Sequence, residues 1–357
     1  MKVGLIIPNN LWISPYIRIY TRFLDSKSVP YELISWNRDG NDTPEGVQYN
    51  HPFPLKSIDK IREYQKYATF VKKEIRQSHL DGLIVFGSQM ALLLAGFLKR
   101  SYKGKYIFDF RDLSVEQNRF LRRPIDKVLE NSFANVVSSP GFIKCLPGNH
   151  DYLISHNFDI DKVKSSVSIS SIASFEHKSI TVLTIGALRD FSSNVQVIDA
   201  LANEEGIEMR FVGKGPASDK LKDYCEEHKV NNVSFKGLYQ KSEEERIVKE
   251  STFLNIFYPR RLSHDTAISN RFYNSLLHKK TMIVTKDTVQ GDFAEKFNVG
   301  IAIDDCSSLR ARMEEFLKQD AQSYAQRCNN LLESFLTDQD KFEASVSDFL
   351  KFLSGGG

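Results

Sequence analysis

The sequence predicts an α/β protein made of two successive parallel-sheet halves. Three observations carry this expectation. Short apolar runs alternate with amphipathic segments from one end of the chain to the other, the pattern of repeated βαβ units. The alternation lapses once, in the polar, Ser-rich stretch 159–179, and restarts at "ITVLTIG" (180–186) as if at a second N-terminus. The chain of 357 residues is too long for one ordinary core but suits two domains of roughly 150–180 residues each.

In the first half, strands are expected at "KVGLIIP" (2–8), "YELISW" (31–36), "DGLIVFG" (81–87), "KYIFDF" (105–110), "NVVSS" (135–139) and "YLISH" (152–156). Their near-continuous apolar runs are those of strands covered on both faces. Helices are expected between them at about 14–26, 57–79, 88–100, 124–134 and 140–146. The segment 57–79 sets Ile58, Ile61, Ala68, Val71 and Ile75 near one helical face and its Lys and Arg residues elsewhere. In the second half, strands follow at 180–186, "EMRFVG" (208–213), "NVSFKG" (232–237), "TFLNIF" (252–257), "TMIVT" (281–285) and "VGIAID" (299–304). Helices are expected near 194–204, 216–228, 242–249, 268–278, 306–318 and 320–335, and a last one at 339–353. The expected organisation is a first domain at 1–160, a connector at 161–179, a second domain at 180–338, and a returning helix and flexible tail at 339–357.

Composition excludes several classes. A hydrophobic content of 41% and a charged content of 26% are those of a soluble globular protein. No run approaches the roughly 18 apolar residues of a membrane span. "MKVGLIIPNN" reads as a first strand rather than a signal peptide. Cys145, Cys225, Cys306 and Cys328 are far apart, which argues against a disulfide framework or zinc site and fits a reducing cytoplasm. Neither the His spacing nor "DID" (159–161), which sits in the connector, suggests a metal centre. Residues 1–165 carry 24 Lys+Arg against 17 Asp+Glu, a balance of +7, and the remainder carries 24 against 28, or −4. This asymmetry suggests different partners for the two halves, with no nucleic-acid-binding signature.

Ligands of doubly wound sheets bind beyond the carboxyl ends of the strands, so the loops there hold the candidates. One strand ends in Gly213-Lys214-Gly215-Pro216, a turn that allows close backbone approach to a ligand and is equally usable for steric reasons alone. Another runs through Gly186 to Arg189 before Ser192, Ser193 and Asn194. A guanidinium near a helix N-terminus can hold a diphosphate. "NVSFKGLYQ" ends a strand at Gly237 and offers Tyr239 to a nucleobase. "RFYNSLLHKKTMIVT" (271–285) is a helix running into a buried strand, with Asn274 within it.

The ordered set resembles the C-terminal domain of GT-B glycosyltransferases, especially retaining family 4, over roughly residues 180–305. The first half is similar more loosely, through "KYIFDFRDLSVEQ" (105–117) and "NVVSSPGFIKCLPGNHDYLISHN" (135–157). The resemblance implies two Rossmann-like domains facing across a cleft, with a C-terminal helix crossing back to the first. It implies transfer of a sugar from a nucleotide diphosphate, most often UDP, with retention and without a cofactor or metal. The acceptor it implies is a growing surface glycan, plausibly polyprenyl-linked, at the cytoplasmic membrane face.

By the same resemblance, the donor would be held by Gly186, Arg189, Gly213, Lys214, Gly215, Gly237, Tyr239, His264, Thr266, Asn270, Tyr273 and Asn274. Asn274 stands where the family has a Glu that accepts bonds from ribose hydroxyls, and Thr266 where it has a second Glu. Ala187 and Ser192 stand at its usual Arg and Lys, and Pro8-Asn9-Asn10 replaces its Gly-Gly turn. Asp109, Arg111 and Asp112 are the candidates to face the acceptor, with a salt bridge closing a turn as the plainer alternative. "RFLRRPID" (119–126) and the 57–79 helix could lie on an anionic membrane or be solvated basic faces. Two other readings remain open, a non-catalytic GT-B protein that binds a sugar nucleotide or partner transferase, and a sugar-nucleotide epimerase.

Overall fold

The computed structural model describes residues 1–114, 118, 120–168 and 179–355, in two compact units. One comprises Met1–Asn157 with Thr337–Gly357, the other Phe158–Leu336.

In the first unit the elements run β1 (Val3–Ile7), α1 (Ile17–Ser26), β2 (Tyr31–Asn37), β3 (Val47–Asn50), α2 (Ser57–Gln77), β4 (Gly82–Phe86), α3 (Ser88–Ser101), β5 (Tyr106–Phe110), α4 (Arg122–Asn131), β6 (Ala134–Val137) and β7 (Leu153–Ile154). They form one parallel sheet in the order β3-β2-β1-β4-β5-β6-β7. Strands β1, β4 and β5 are wholly buried, as their uninterrupted apolar runs require. Strand β3, "VQYN", is an addition to the sequence expectation: a polar, half-exposed edge strand without an apolar run. Helix α2 also departs from expectation. Ala68, Val71 and Ile75 are buried, whereas Ile58 and Ile61 are 65% and 61% exposed.

The second unit continues with α5 (Ile160–Val167), β8 (Ile180–Ile185), α6 (Phe191–Leu201), β9 (Ile207–Val212), α7 (Ser218–Glu227), β10 (Val233–Lys236), α8 (Glu244–Lys249), β11 (Phe253–Ile256), α9 (Leu262–Thr266), α10 (Asn270–Leu277), β12 (Thr281–Thr285), α11 (Val289–Phe297), β13 (Gly300–Ile303), α12 (Leu309–Leu317) and α13 (Ala321–Leu353). Its sheet is parallel throughout, in the order β10-β9-β8-β11-β12-β13.

Two further departures concern the connections. Residues 161–168, expected in a polar connector, continue α5: Val163 is buried, and the Ser166 hydroxyl donates to the Leu277 carbonyl at 2.7 Å. Asp159 of "DID" is its N-cap, accepting from the Asp161 amide at 3.2 Å. The remainder of the expected connector, 169–178, lies outside the described residues. The two expected C-terminal helices are one 33-residue helix, α13. Tyr324, Cys328, Leu331, Leu332 and Phe335 join the second unit's core, and Phe342, Val346, Phe349 and Leu350 join that of the first. The polar stretch "TDQD" (337–340) thus bridges two apolar stripes within a continuous helix.

Candidate functional site

A cavity of about 310 Å³ opens at the carboxyl end of the second unit's sheet. Its walls come from loops that parallel topology brings to that end: 186–190 after β8, 239–244 after β10, and 258–270 after β11. The first two turns of α10 add Asn270, Arg271 and Asn274, and the first turn of α11 adds Gln290. The entry to α10 is tightly fixed. Ser269 caps it by accepting from the Phe272 amide at 3.3 Å, and donates to Gln290 Oε1 at 2.8 Å.

Four charged residues line the cavity, Arg189, Asp190, Glu244 and Arg271, and sequence reading singled out neither of the last two. Arg271 donates from Nε to the Ile185 carbonyl, from Nη1 to that of Asn255 at 3.1 Å, and from Nη2 to that of Ala187 at 3.3 Å. Its guanidinium also lies 5.6 Å from the Tyr258 ring centroid. Its described partners are neutral carbonyls and a ring, so the ends of β8 and β11 hold a cation in the cavity without cancelling its charge. The other group is Glu244, at the start of α8. Asn274 Nδ2 donates to its Oε1 at 3.0 Å, the Tyr239 hydroxyl to its Oε2 at 2.9 Å, and Lys241 Nζ also to Oε1. Burial raises the Glu244 pKa, but the bonds from Lys241, Asn274 and Tyr239 outweigh it and hold the carboxyl below its ordinary value. Tyr239 is pushed up by burial and by the same carboxylate.

A carboxylate therefore does stand beside Asn274, supplied by another helix. The Asn that replaces an expected Glu donates a hydrogen bond to it. The available signal was weak: "KSEEERIVKE" (241–250) reads as an ordinary solvated helix, and only the fold brings its first Glu to Asn274.

Several expected donor residues line the cavity: Gly186, Arg189, Tyr239, His264, Asn270 and Asn274. Gly186 has φ +96, a conformation that disfavours any side chain, and a Cβ there would meet open space. Arg189 is exposed. His264 Nδ1 is 3.0 Å from the Pro259 carbonyl, which directs Nε2 elsewhere.

Others lie apart from it. Gly213, at φ +130, would place a Cβ 2.0 Å from the Gly186 carbonyl oxygen, and Gly215 one 2.4 Å from that of Leu188. These glycines let the loop after β9 pack against the loop after β8, so their work is steric. Lys214 and Gly237 are exposed and outside the cavity lining. The Thr266 hydroxyl donates to the Leu262 carbonyl at 2.6 Å and the residue is buried. Tyr273 is buried among Phe158, Phe272 and Phe335 as a core aromatic.

The acceptor candidates in the first unit also divide. Asp109 is fully buried: Arg111 Nε lies 2.6 Å from its Oδ1, Nη2 donates to Oδ2 at 2.6 Å, and the Tyr20 hydroxyl donates to Oδ2 at 2.6 Å. Arg111 also donates to the Ser155 carbonyl at 2.9 Å. Burial and Asp109 push the Tyr20 phenol well up. Asp109 and Arg111 thus form a closed, internally neutralised pair, in place of the expected ligand-facing one; Asp112 is exposed.

No protein-family model matches the chain, and no curated protein does. Solved structures do. Sucrose-phosphate synthase from Thermosynechococcus elongatus superposes with a TM-score of 0.72 at 10% identity, covering 100% of both chains. A glycosyltransferase from Rickettsia africae gives 0.68 at 11%, over 98% of each chain. Anabaena HepE, solved in complex with UDP-glucose, gives 0.65 at 11%, over 98% of this chain and 100% of its own. The fold is GT-B. At such identities the likeness is one of fold.

Proposed function

We propose that the chain is a glycosyltransferase that takes a sugar from a nucleotide diphosphate held in the second unit's cavity. The observation that carries this is the pairing of Arg271 and Arg189 with Glu244 in one cavity at the carboxyl end of a parallel sheet. Cations fit the diphosphate, and a carboxylate held by Asn274 and Tyr239 fits a vicinal diol such as that of a ribose. UDP is the favoured nucleotide, because HepE, of the same fold, was solved with UDP-glucose.

In this reading the bond from the anomeric carbon to the diphosphate oxygen breaks as an acceptor hydroxyl attacks the same face. The proton leaves with the diphosphate, and the configuration is retained. Arg271 and Arg189 stabilise the charge that grows on the leaving group, and no metal or cofactor is needed. Positioning and charge stabilisation supply the rate. The acceptor is a lipid-linked surface glycan, with Asp112 the exposed candidate to contact it.

The test is a panel of sugar nucleotides on the purified chain, following thermal stabilisation and nucleoside diphosphate release together. A ligand at about a hundred times its Kd stabilises by about 2.7 kcal/mol, which a melt resolves. Stabilisation by a UDP-sugar with UDP release is the expected result. Stabilisation without release, with lipid-linked acceptors present, would make the chain a binding protein. No response to any nucleotide would remove the proposal.

A further inference from the structure

We propose that Trp12 is the platform on which the acceptor sugar stacks, and that this sugar is a neutral pyranose with a face of C–H groups, as in a β-linked glucan. This rests on the glycosyltransferase reading and deepens it by naming the acceptor's chemical class. Trp12 lies in the loop after β1, in a single 3-10 turn at Leu11–Ile13. In the sheet order β1 stands between β2 and β4, so its loop rises where the winding of the sheet reverses, the place at which open parallel sheets take ligands. The chain has two Trp residues. Trp36 is fully buried, whereas Trp12 is 63% exposed, with Ile13 exposed beside it.

The exposed ring is held still. Asp42 accepts from the Leu11 amide at 2.7 Å and from the Trp12 amide at 3.3 Å. The buried Asn10 donates to Asn37 Oδ1 at 3.1 Å and to Asp39 Oδ1 at 2.6 Å, and accepts from the Arg38 amide at 3.1 Å. The loop after β1 is thereby fastened to the loop after β2. Asp39 also meets the indole: bonds from the Asn41 amide, Asn10 and the Trp12 side chain hold its carboxyl below the ordinary value. A ring tied at its amide and at its side chain meets a ligand without a further ordering cost.

The groups around the ring identify the ligand. Asp39 is exposed and Asp42 half-buried, and a carboxylate offers about four acceptor sites, more than their described partners fill. The cation of the same loop, Arg38, is turned onto Trp36, Phe53 and Tyr64. An apolar ring beside acceptor-only groups suits a ligand with a C–H face and a rim of hydroxyl donors, which describes a neutral pyranose. The two carboxylates disfavour a phosphate, a uronate or an anionic headgroup at the same place.

The test is binding of cellotetraose to the full chain. Because Trp36 is buried, acrylamide quenching of tryptophan fluorescence reads Trp12, and the glycan should shield it. In calorimetry, Trp12→Ala should weaken binding about ten-fold or more, and Trp12→Tyr should retain most of the wild-type affinity. The same tetramer oxidised to the uronate at each C6 should bind wild type more weakly, with the gap narrowing as salt is raised. Trp12→Ala should keep wild-type melting and UDP-sugar stabilisation, because Trp12 does not line the second unit's cavity. Quenching unchanged by cellotetraose, Trp12→Ala binding as wild type does, or a uronate bound as tightly as the neutral tetramer would overturn the proposal. The donor-site reading stands or falls separately on the UDP-sugar melt, made without any glycan.

Discussion

The carboxyl ends of the two parallel sheets treat charge in opposite ways. At the end of β5, Asp109 and Arg111 neutralise each other in the interior, with Tyr20 and Ser155 taking up remaining bonds. At the ends of β8 and β11, Arg271 rests on neutral carbonyls, and at the start of α8 Glu244 accepts from Asn274, Tyr239 and an exposed Lys241, so the cation has no acid among its hydrogen-bond partners and the carboxylate's only ion pair is with an exposed Lys. The topology is shared, but one end closes on itself and the other stays electrostatically open. A parallel sheet therefore says where a ligand can bind, and the charge pairing at its rim says whether that place is used for binding or for stability.

The largest expected effect breaks the closed end. Arg111→Met leaves Asp109 buried and unpaired and should destabilise the protein by about 3–5 kcal/mol in urea unfolding. Next is the open end, where Arg271→Ala removes the cation facing the diphosphate. UDP affinity by calorimetry should fall about ten- to a hundred-fold, the worth of a charged hydrogen bond. Gly213→Ala forces a Cβ onto the Gly186 carbonyl at a φ that disfavours side chains, and should lower stability by about 1–3 kcal/mol.

A pH effect follows in the second unit. Burial depresses the His278 pKa from 6.5 to about 4, so the unfolded chain takes up the proton first. Stability present above pH 6.5 is lost as pH falls toward 4. Melting at intervals across that window should show the slope, and His278→Gln should flatten it. The smallest effect sharpens the contrast within the first unit: Asp112→Asn, at an exposed position beside the buried pair, should change stability by no more than about 0.5 kcal/mol.

Much of this fold was legible because a strand buried on both faces must be written as an apolar run. Strands β1, β4, β8, β11 and β12 were all found that way. Edge strand β3 was not, because a half-exposed strand needs no such run. Helix α5 hid in a polar stretch because one buried Val and one Ser hydroxyl suffice to dock it. The two misjudged Ile residues of α2 show the limit of periodicity: it reports a common face, not whether anything covers that face. The cavity was legible by position, since it opens among the loops that follow strands. Its chemistry was less so. Glu244 meets Asn274 across 30 residues of sequence, and no spacing rule links a helix start to the middle of another helix. Gly213 and Gly215 looked like ligand contacts, whereas Gly186 and Leu188 are what they accommodate.

The central claim is that the donor carboxylate of this cavity is Glu244, presented by Asn274. The most direct measurement is UDP binding by calorimetry for wild type, Glu244→Ala, and Glu244→Ala combined with Asn274→Glu. Affinity should fall about ten-fold or more on removing Glu244 and recover substantially when position 274 carries the carboxylate instead. Unchanged binding in Glu244→Ala, or no recovery in the double variant while its melting stays that of wild type, would contradict it.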